Sequence, residues 1–223
     1  MSNLSKIVGG FSPISLDEMD DVKLMSRTDT KFAFKANKLP LLLEKLLPFY
    51  RVLAIDGELI HDYKSLYYDT DDRKFFLDHH NGRVNRNKIR FREYVGSKLT
   101  FLEIKLKNNK GKTIKKRMKV DKITKDLSEK QQKYIQKIIG KPMDVNLTYK
   151  NDEGSGDMNH IVIAEVKQER MSRSSDFMRI AKEMHILPIR ISKYCMTTLA
   201  LNPKLKQNRF KEKVLFINKL KQA

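Results

Sequence analysis

Lys88-Ile89-Arg90-Phe91-Arg92-Glu93-Tyr94-Val95, Leu99-Thr100-Phe101-Leu102-Glu103-Ile104-Lys105-Leu106-Lys107 and Thr113-Ile114-Lys115-Lys116-Arg117-Met118-Lys119-Val120 follow one another in the middle of the chain. Each alternates polar and apolar residues, the period-two signature of a strand with one buried face. Lys88, Arg90 and Arg92 share one face, with Ile89 and Phe91 on the other. Glu103, Lys105 and Lys107 lie opposite Leu102, Ile104 and Leu106. Lys115, Arg117 and Lys119 lie opposite Ile114, Met118 and Val120, with Lys116 as the exception. Asn108-Asn109-Lys110-Gly111 joins the last two strands with a hairpin-loop composition. An ordinary antiparallel sheet with one solvated face would alternate in the same way. The signs of the charges separate the two readings. The three polar faces hold eight basic residues and one acidic residue, whereas a solvated face mixes signs because like charges directly opposite destabilise a strand pair. Eight crowded cations need a compensating polyanion, and a bound ligand supplies one.

Outward from this centre, helices and shorter strands flank the sheet. Ser15, with Glu18 three residues on, starts a helix as a capping box. Lys31 to Phe34 reads as a strand. A helix follows with Asn37 as N-cap, Pro40 in its first turn, and Leu39, Leu42, Leu43, Leu46 and Leu47 as its apolar stripe. Tyr50 to Ile55 and Tyr63 to Tyr68 are further strands, and Asp71 to Leu77 is a short helix. Asp126 to Ile139 is helical, and Ile161 to Lys167 is a strand after a Gly-Ser-rich loop at 152–157. Ser175 to Met184 and Ser192 to Leu201 are helices, and basic residues interleave with apolar ones near the C-terminus. Strands in the middle with helices around them make an α+β pattern. Residues 1–14 are expected to form a flexible tail and 15–223 a single domain.

The 223 residues carry 46 Lys and Arg against 27 Asp and Glu, a formal net charge of +19. That balance favours polyanionic partners. Cys195 is the single cysteine, so no internal disulfide forms, and a reducing, cytoplasmic location is expected. The N-terminal residues lack an apolar signal-peptide core, and no apolar run nears the ~20 residues that span a bilayer. No nucleic-acid motif is present, so no specific nucleic acid is expected as a partner. His79 and His80 are adjacent in a loop with no further ligands nearby, and surface or packing roles are expected. Cys195, Tyr67-Tyr68 and Phe75-Phe76 are expected in the core.

Arginine grips two phosphate oxygens at once through its planar fork, and lysine adds compact charge. Glu103 among these cations is either a structural ion-pair partner or a ligand for a divalent cation riding on phosphates. Glu165 and Lys167 repeat the Glu-x-Lys arrangement of Glu103 and Lys105 on the later strand.

Several stretches resemble, in order, the successive motifs of VTC (vacuolar transporter chaperone) domains. They are Arg27-Thr28-Asp29-Thr30-Lys31-Phe32, Lys88 to Tyr94, Leu102-Glu103-Ile104-Lys105, Ile114-Lys115-Lys116-Arg117, Ile163-Ala164-Glu165-Val166-Lys167 and Ser192-Lys193-Tyr194. His79-His80-Asn81-Gly82-Arg83 is similar to a stretch of bacterial members. The resemblance runs from about Ser15 to Leu220 and implies the triphosphate tunnel metalloenzyme (CYTH-like) superfamily. The implied fold is an antiparallel β-barrel, a triphosphate tunnel lined by Lys, Arg and Glu and flanked by helices. Polymerase members move the γ-phosphoryl of ATP onto a polyphosphate chain with Mn²⁺ or Mg²⁺. Carried over, Lys31, Arg90, Arg92, Lys105, Lys115 and Arg117 would hold phosphates and support catalysis, joined by Lys107 and Lys167. Glu165 would bind the metal, with Glu103 as a second nominee, and Lys193 would meet phosphate near the tunnel mouth. The implied partners are ATP or triphosphate and polyphosphate; a membrane partner would have to come from other chains. Related domains carry a further strand pair where this chain passes from Ile139-Gly140-Lys141-Pro142-Met143 directly into Asp144-Val145-Asn146-Leu147. The barrel is therefore expected to be incomplete near residue 143. A non-catalytic polyphosphate- or triphosphate-binding module, or a triphosphatase, stands as the alternative to the polymerase.

Overall fold

The computed structural model describes residues 3–20, 28–109, 113–141, 145–150, 160–169 and 174–222. Arg27, the end of the hairpin loop at Lys110-Gly111, the junction at 142–144 and the Gly-Ser-rich loop at 152–157 lie outside the described residues. In chain order the elements are α1 (Asn3–Val8), β1 (Ser12–Ile14), α2 (Leu16–Asp20), β2 (Thr28–Lys35), α3 (Leu39–Leu46), β3 (Arg51–Leu53), β4 (Tyr63–Asp69) and α4 (Lys74–His80). Then come β5 (Arg86–Tyr94), β6 (Leu99–Lys107), β7 (Thr113–Val120), α5 (Glu129–Ile139), β8 (Asn146–Lys150), β9 (Ile161–Gln168), α6 (Asp176–Glu183), α7 (Lys193–Leu201) and α8 (Lys211–Gln222). The chain divides into two compact units, Met1–Ile60 with Asp157–Ile191 and Leu215–Ala223, and His61–Gly156 with Ser192–Val214.

In the first unit β2 pairs antiparallel with β9, and β1 pairs parallel with β3. Phe32 and Phe34 of β2 pack with Leu42 and Leu46 of α3 and with Phe177, Ile180 and Ala181 of α6. The stretch expected to be a flexible tail instead carries α1 and β1, and Ile7, Val8 and Phe11 are buried. Elements this short have almost no intrinsic stability, so tertiary contact holds them. Ser15 and Glu18 form the expected reciprocal cap: the Glu18 amide donates to Ser15 Oγ (3.2 Å) and the Ser15 amide donates to Glu18 Oε2 (2.9 Å). Asn37, expected as the N-cap of α3, lies inside a 3₁₀ turn at Ala36–Lys38, which moves the cap position to Lys38.

In the second unit the order β7-β6-β5-β4-β8 makes a five-stranded antiparallel sheet. Leu66, Tyr68, Ile89, Phe91, Leu102 and Ile104 cover one face and pack with Phe75 of α4 and Ile135 of α5. The alternation across β5 and β6 is therefore realised, with the apolar residues inward. Ser128 and Gln131 close a capping box at the start of α5, and Gly140 ends it at φ 76°, a left-handed conformation that glycine adopts freely.

α4 starts three residues later than the sequence implies. Asp69 is 1% exposed. Its Oδ1 accepts from the amides of Thr70 and Phe75 (both 2.8 Å), and its Oδ2 accepts from the amide of Phe76 (3.0 Å) and from the Tyr194 hydroxyl. Arg73 sits left-handed at φ 59°, so residues 70–73 make a turn before the helix. Among the described residues β7 and β8 end the five-stranded sheet, and no ladder closes it into a barrel. This agrees with the incomplete antiparallel architecture. No helix among the described residues is long and apolar enough to cross a membrane.

Candidate functional site

The sheet register arranges the cationic face in cross-strand rows. Tyr67, Arg90, Glu103 and Arg117 form the central row. Lys88, Lys105 and Lys115 form the row on one side, and Ser65, Arg92, Phe101 and Lys119 the row on the other. Rows two residues apart lie about 7 Å from each other along the strands.

Glu103 is fully buried at the centre. Arg90 grips its Oε2 through Nε (2.9 Å) and NH2 (2.6 Å), and Lys115 pairs with Oε1. Burial alone would raise the Glu103 pKa, but Lys115 and Arg90 outweigh it and hold the carboxyl below its usual value. Of the two roles open to Glu103 in the sequence, the structure shows the ion pair. Both oxygens are taken by cations, so the donor set does not suit a metal at Glu103. Arg117 stands directly opposite Glu103 in the ladder, yet its guanidinium lies over the Phe101 ring at 4.7 Å, and the diagonal Lys115 makes the pair instead.

Two cations flank this triad without counter-ions. Among the described residues, Lys105 and Arg92 make no hydrogen bond or ion pair, and Arg92 Nε is buried. Burial pushes the Lys105 pKa down to about 8; the charges of Arg90, Lys115 and Arg92 add to the fall and Glu103 opposes it. Lys107 pairs in register with Arg86 at the lysine-rich end of the face.

Lys193 opens α7 and donates to the Tyr63 hydroxyl (3.0 Å). Burial would raise the Tyr63 pKa, but Lys193, Arg92 and Arg90 together lower it, a sign of the positive potential here. Lys193 is held in place from two sides. Tyr194 is tied to Asp69, and Ser192 Oγ accepts from Lys88 Nζ (3.0 Å) while capping α7. Asp69 was not singled out in the sequence; a lone aspartate ending a strand carries no pattern that distinguishes it.

The first unit holds its own cluster. Lys31 stands opposite Glu165 in the β2–β9 ladder. Glu165 Oε1 lies 3.7 Å from Lys31 Nζ, and its Oε2 accepts from Lys167 (3.1 Å). Its side chain is 34% exposed. Both its oxygens therefore face lysines, but unlike Glu103 it is partly exposed, and among the described residues no group of three or more His, Cys, Asp or Glu gathers that could hold a metal ion. Sequence-nominated residues thus gather in two clusters: Lys31, Glu165 and Lys167 in one unit, and the other eight in the second.

His80 is 2% exposed. It packs on Phe76 and Phe210 and accepts from the Arg209 amide, the packing one of the two roles expected, and both histidines close α4 where a loop was expected. Cys195, Tyr67, Tyr68, Phe75 and Phe76 are buried as expected.

A family model for the VTC domain matches residues 26–151. No curated protein matches the chain. Among solved structures, a protein from Vibrio parahaemolyticus described as a candidate adenylate cyclase aligns with a TM-score of 0.43 at 9% identity, over 76% of this chain and 97% of its own. A conserved hypothetical protein from Pyrococcus furiosus aligns with a TM-score of 0.35 at 15% identity, over 73% of this chain and 92% of its own. The matched span covers more than half of the sequence and contains β2 and the whole five-stranded sheet, and the chain belongs to the VTC domain family.

Proposed function

We propose that this protein is a metal-dependent polyphosphate polymerase that transfers the γ-phosphoryl of ATP to a polyphosphate chain. The observation that carries this reading is the pair of half-buried cations, Lys105 and Arg92, left without counter-ions beside a saturated ion-pair triad. Partly desolvated charges with no anionic partner in contact are costly, and a polyanion lying along the strands relieves both. Family membership ties the chain to triphosphate and polyphosphate chemistry.

In the transfer, a terminal oxygen of polyphosphate attacks the γ-phosphorus, the bond to the β–γ bridging oxygen breaks, and ADP departs. Negative charge spreads over the equatorial oxygens in a loose transition state, so catalysis is mainly positioning and electrostatic stabilisation. Arg90 is held rigid by Glu103. Lys115 has further ammonium protons free to donate to phosphate beyond the one facing Glu103. Lys105, Lys107, Arg92 and Arg117 extend the positive field along the face, and Lys193 reaches it from α7. Lys31 and Lys167 would bind phosphate beside Glu165. Glu165 would hold Mn²⁺ or Mg²⁺, which would offset charge on phosphate oxygens when bound. No side chain is required as a nucleophile.

Purified protein with ATP and Mn²⁺ should yield a ladder of polyphosphate on a gel, and Arg90→Ala or Lys105→Ala should abolish it. Unchanged product in those variants would overturn the reading. A second reading has its own support: with Glu103 committed to Arg90 and Lys115, Glu165 is left as the one nominated metal ligand, and a triphosphate-binding module needs no more. Tight tripolyphosphate binding without ATP turnover would mark the module. Orthophosphate release without polymer would mark a triphosphatase.

A further inference from the structure

The cationic face changes character along its strands. Beyond the Arg92 row comes a row of Tyr63, Tyr94 and Leu99, all on the same face as Arg90 and Glu103. This end is apolar yet open: Tyr63 is 39% and Leu99 37% exposed. It is also rich in stacked π systems. The Arg92 guanidinium lies 4.1 Å over the Tyr63 ring and 5.9 Å from that of Tyr94, and Tyr94 meets Phe101 edge-on at 6.3 Å. The Tyr94 row is four residues from the Arg90 row, about 13 Å along the strands. A bare phosphate chain gains nothing from exposed rings. A ligand with phosphates at one end and a flat aromatic group at the other matches both halves.

We infer that the Tyr63–Tyr94–Leu99 end is a nucleobase subsite, so that the face selects a nucleoside triphosphate over a bare phosphate chain. This rests on the reading above that the cationic rows bind phosphates. The triphosphate lies over the Lys105 and Arg90 rows, the ribose passes Arg92, and the base stacks on the exposed Tyr63 ring. Stacking of this kind is tolerant of base identity because every base presents a π face.

Tyr63 also accepts a hydrogen bond from Lys193, so the ring must be tested apart from the hydroxyl. Tyr63→Phe keeps the ring and Tyr63→Leu removes it; both lose the hydroxyl. Calorimetry would give Kd for ATP and for inorganic tripolyphosphate with the full chain. The ring's contribution predicts that the preference for ATP over tripolyphosphate falls about 5- to 100-fold from Tyr63→Phe to Tyr63→Leu, a ratio that cancels any phosphate affinity lost because Arg92 rests on this ring. Tyr94→Leu should show the same selective loss relative to Tyr94→Phe. An unchanged preference for ATP over tripolyphosphate within both pairs would overturn the subsite while leaving the phosphate reading intact. Failure of the wild type to bind tripolyphosphate would overturn the phosphate reading and the subsite with it. Tighter binding of a single-stranded oligonucleotide than of ATP, lost in Tyr63→Leu, would assign the stacking surface to a nucleic-acid strand and overturn the proposal.

Discussion

Binding of a polyanion to the sheet face should take up protons, and Lys105 sets how many. Burial, followed by the charges of Arg90, Lys115 and Arg92, holds its pKa at about 8 in the free protein. A phosphate chain beside it would reverse the imbalance and restore the charged form. The uptake attributable to Lys105 is then its uncharged fraction before binding: ~0.1 proton at pH 7, ~0.5 at pH 8 and ~0.9 at pH 9. Calorimetric titration with tripolyphosphate, in buffers of different ionisation enthalpy at one pH, reads this number directly. Lys105→Arg is the control, because arginine stays charged throughout and the anion's own protonation cancels in the difference. Wild-type affinity should fall relative to Lys105→Arg by about twofold at pH 8 and about tenfold at pH 9. A difference near zero at pH 9, in both proton uptake and affinity, would refute the assignment of an uncompensated Lys105 beneath the bound anion. The free protein offers a second reading of the same group. Its unfolded chain holds the Lys105 proton more tightly than the folded one, so this residue's destabilising contribution is full below pH 8 and relieved as pH rises from about 8 towards 10.5.

Three further outcomes follow from buried carboxylates. Glu103→Gln leaves Arg90 without its anion and should lower stability by about 3 kcal/mol in a denaturant titration; saturating tripolyphosphate should restore part of it, and an unchanged midpoint would contradict the central role of the triad. The Glu103 pKa lies below its usual value of 4.5, so its contribution is present above that pH and should be lost as acid carries the pH down through the lowered folded value, read as a falling denaturation midpoint. Tyr194→Phe removes the hydroxyl bound to buried Asp69 and should cost about 2 kcal/mol, with weaker tripolyphosphate binding through a displaced Lys193; a stable variant with wild-type affinity would show that the Asp69 anchor does not position α7.

The strand faces were legible because side-chain direction in a strand has a fixed period of two, and β6 and β7 begin and end where the alternation does. Pairing across strands was not legible. Arg117 is the direct neighbour of Glu103 but stacks on Phe101, while Lys115 makes the ion pair; that choice depends on side-chain reach across the twisted sheet. The late start of α4 depends on Asp69, whose carboxylate gathers amides from both sides of a turn. The aromatic end of the face carried the same period-two signal as the charges. Tyr94 shares parity with Arg92, and Phe101 shares parity with Glu103, but a search for charge alone passes over both. α1 and β1 have no pattern strong enough to announce them, because their order comes from contacts made by Ile7, Val8 and Phe11.

The Glu103 clamp also bears on the speed and cost of recognition. An arginine or lysine side chain surrenders up to ~2 kcal/mol of rotamer entropy when it is immobilised. Arg90 has lost that freedom at folding, since three of its donors already rest on Glu103 and Tyr67. An arriving anion therefore meets a guanidinium that has no search left to make, and less of the attraction between them is spent on ordering the protein. Exposed lysines such as Lys119 have no such restraint. They can follow a long, irregular chain as it slides, so one face combines a fixed point of registration with a compliant surface around it.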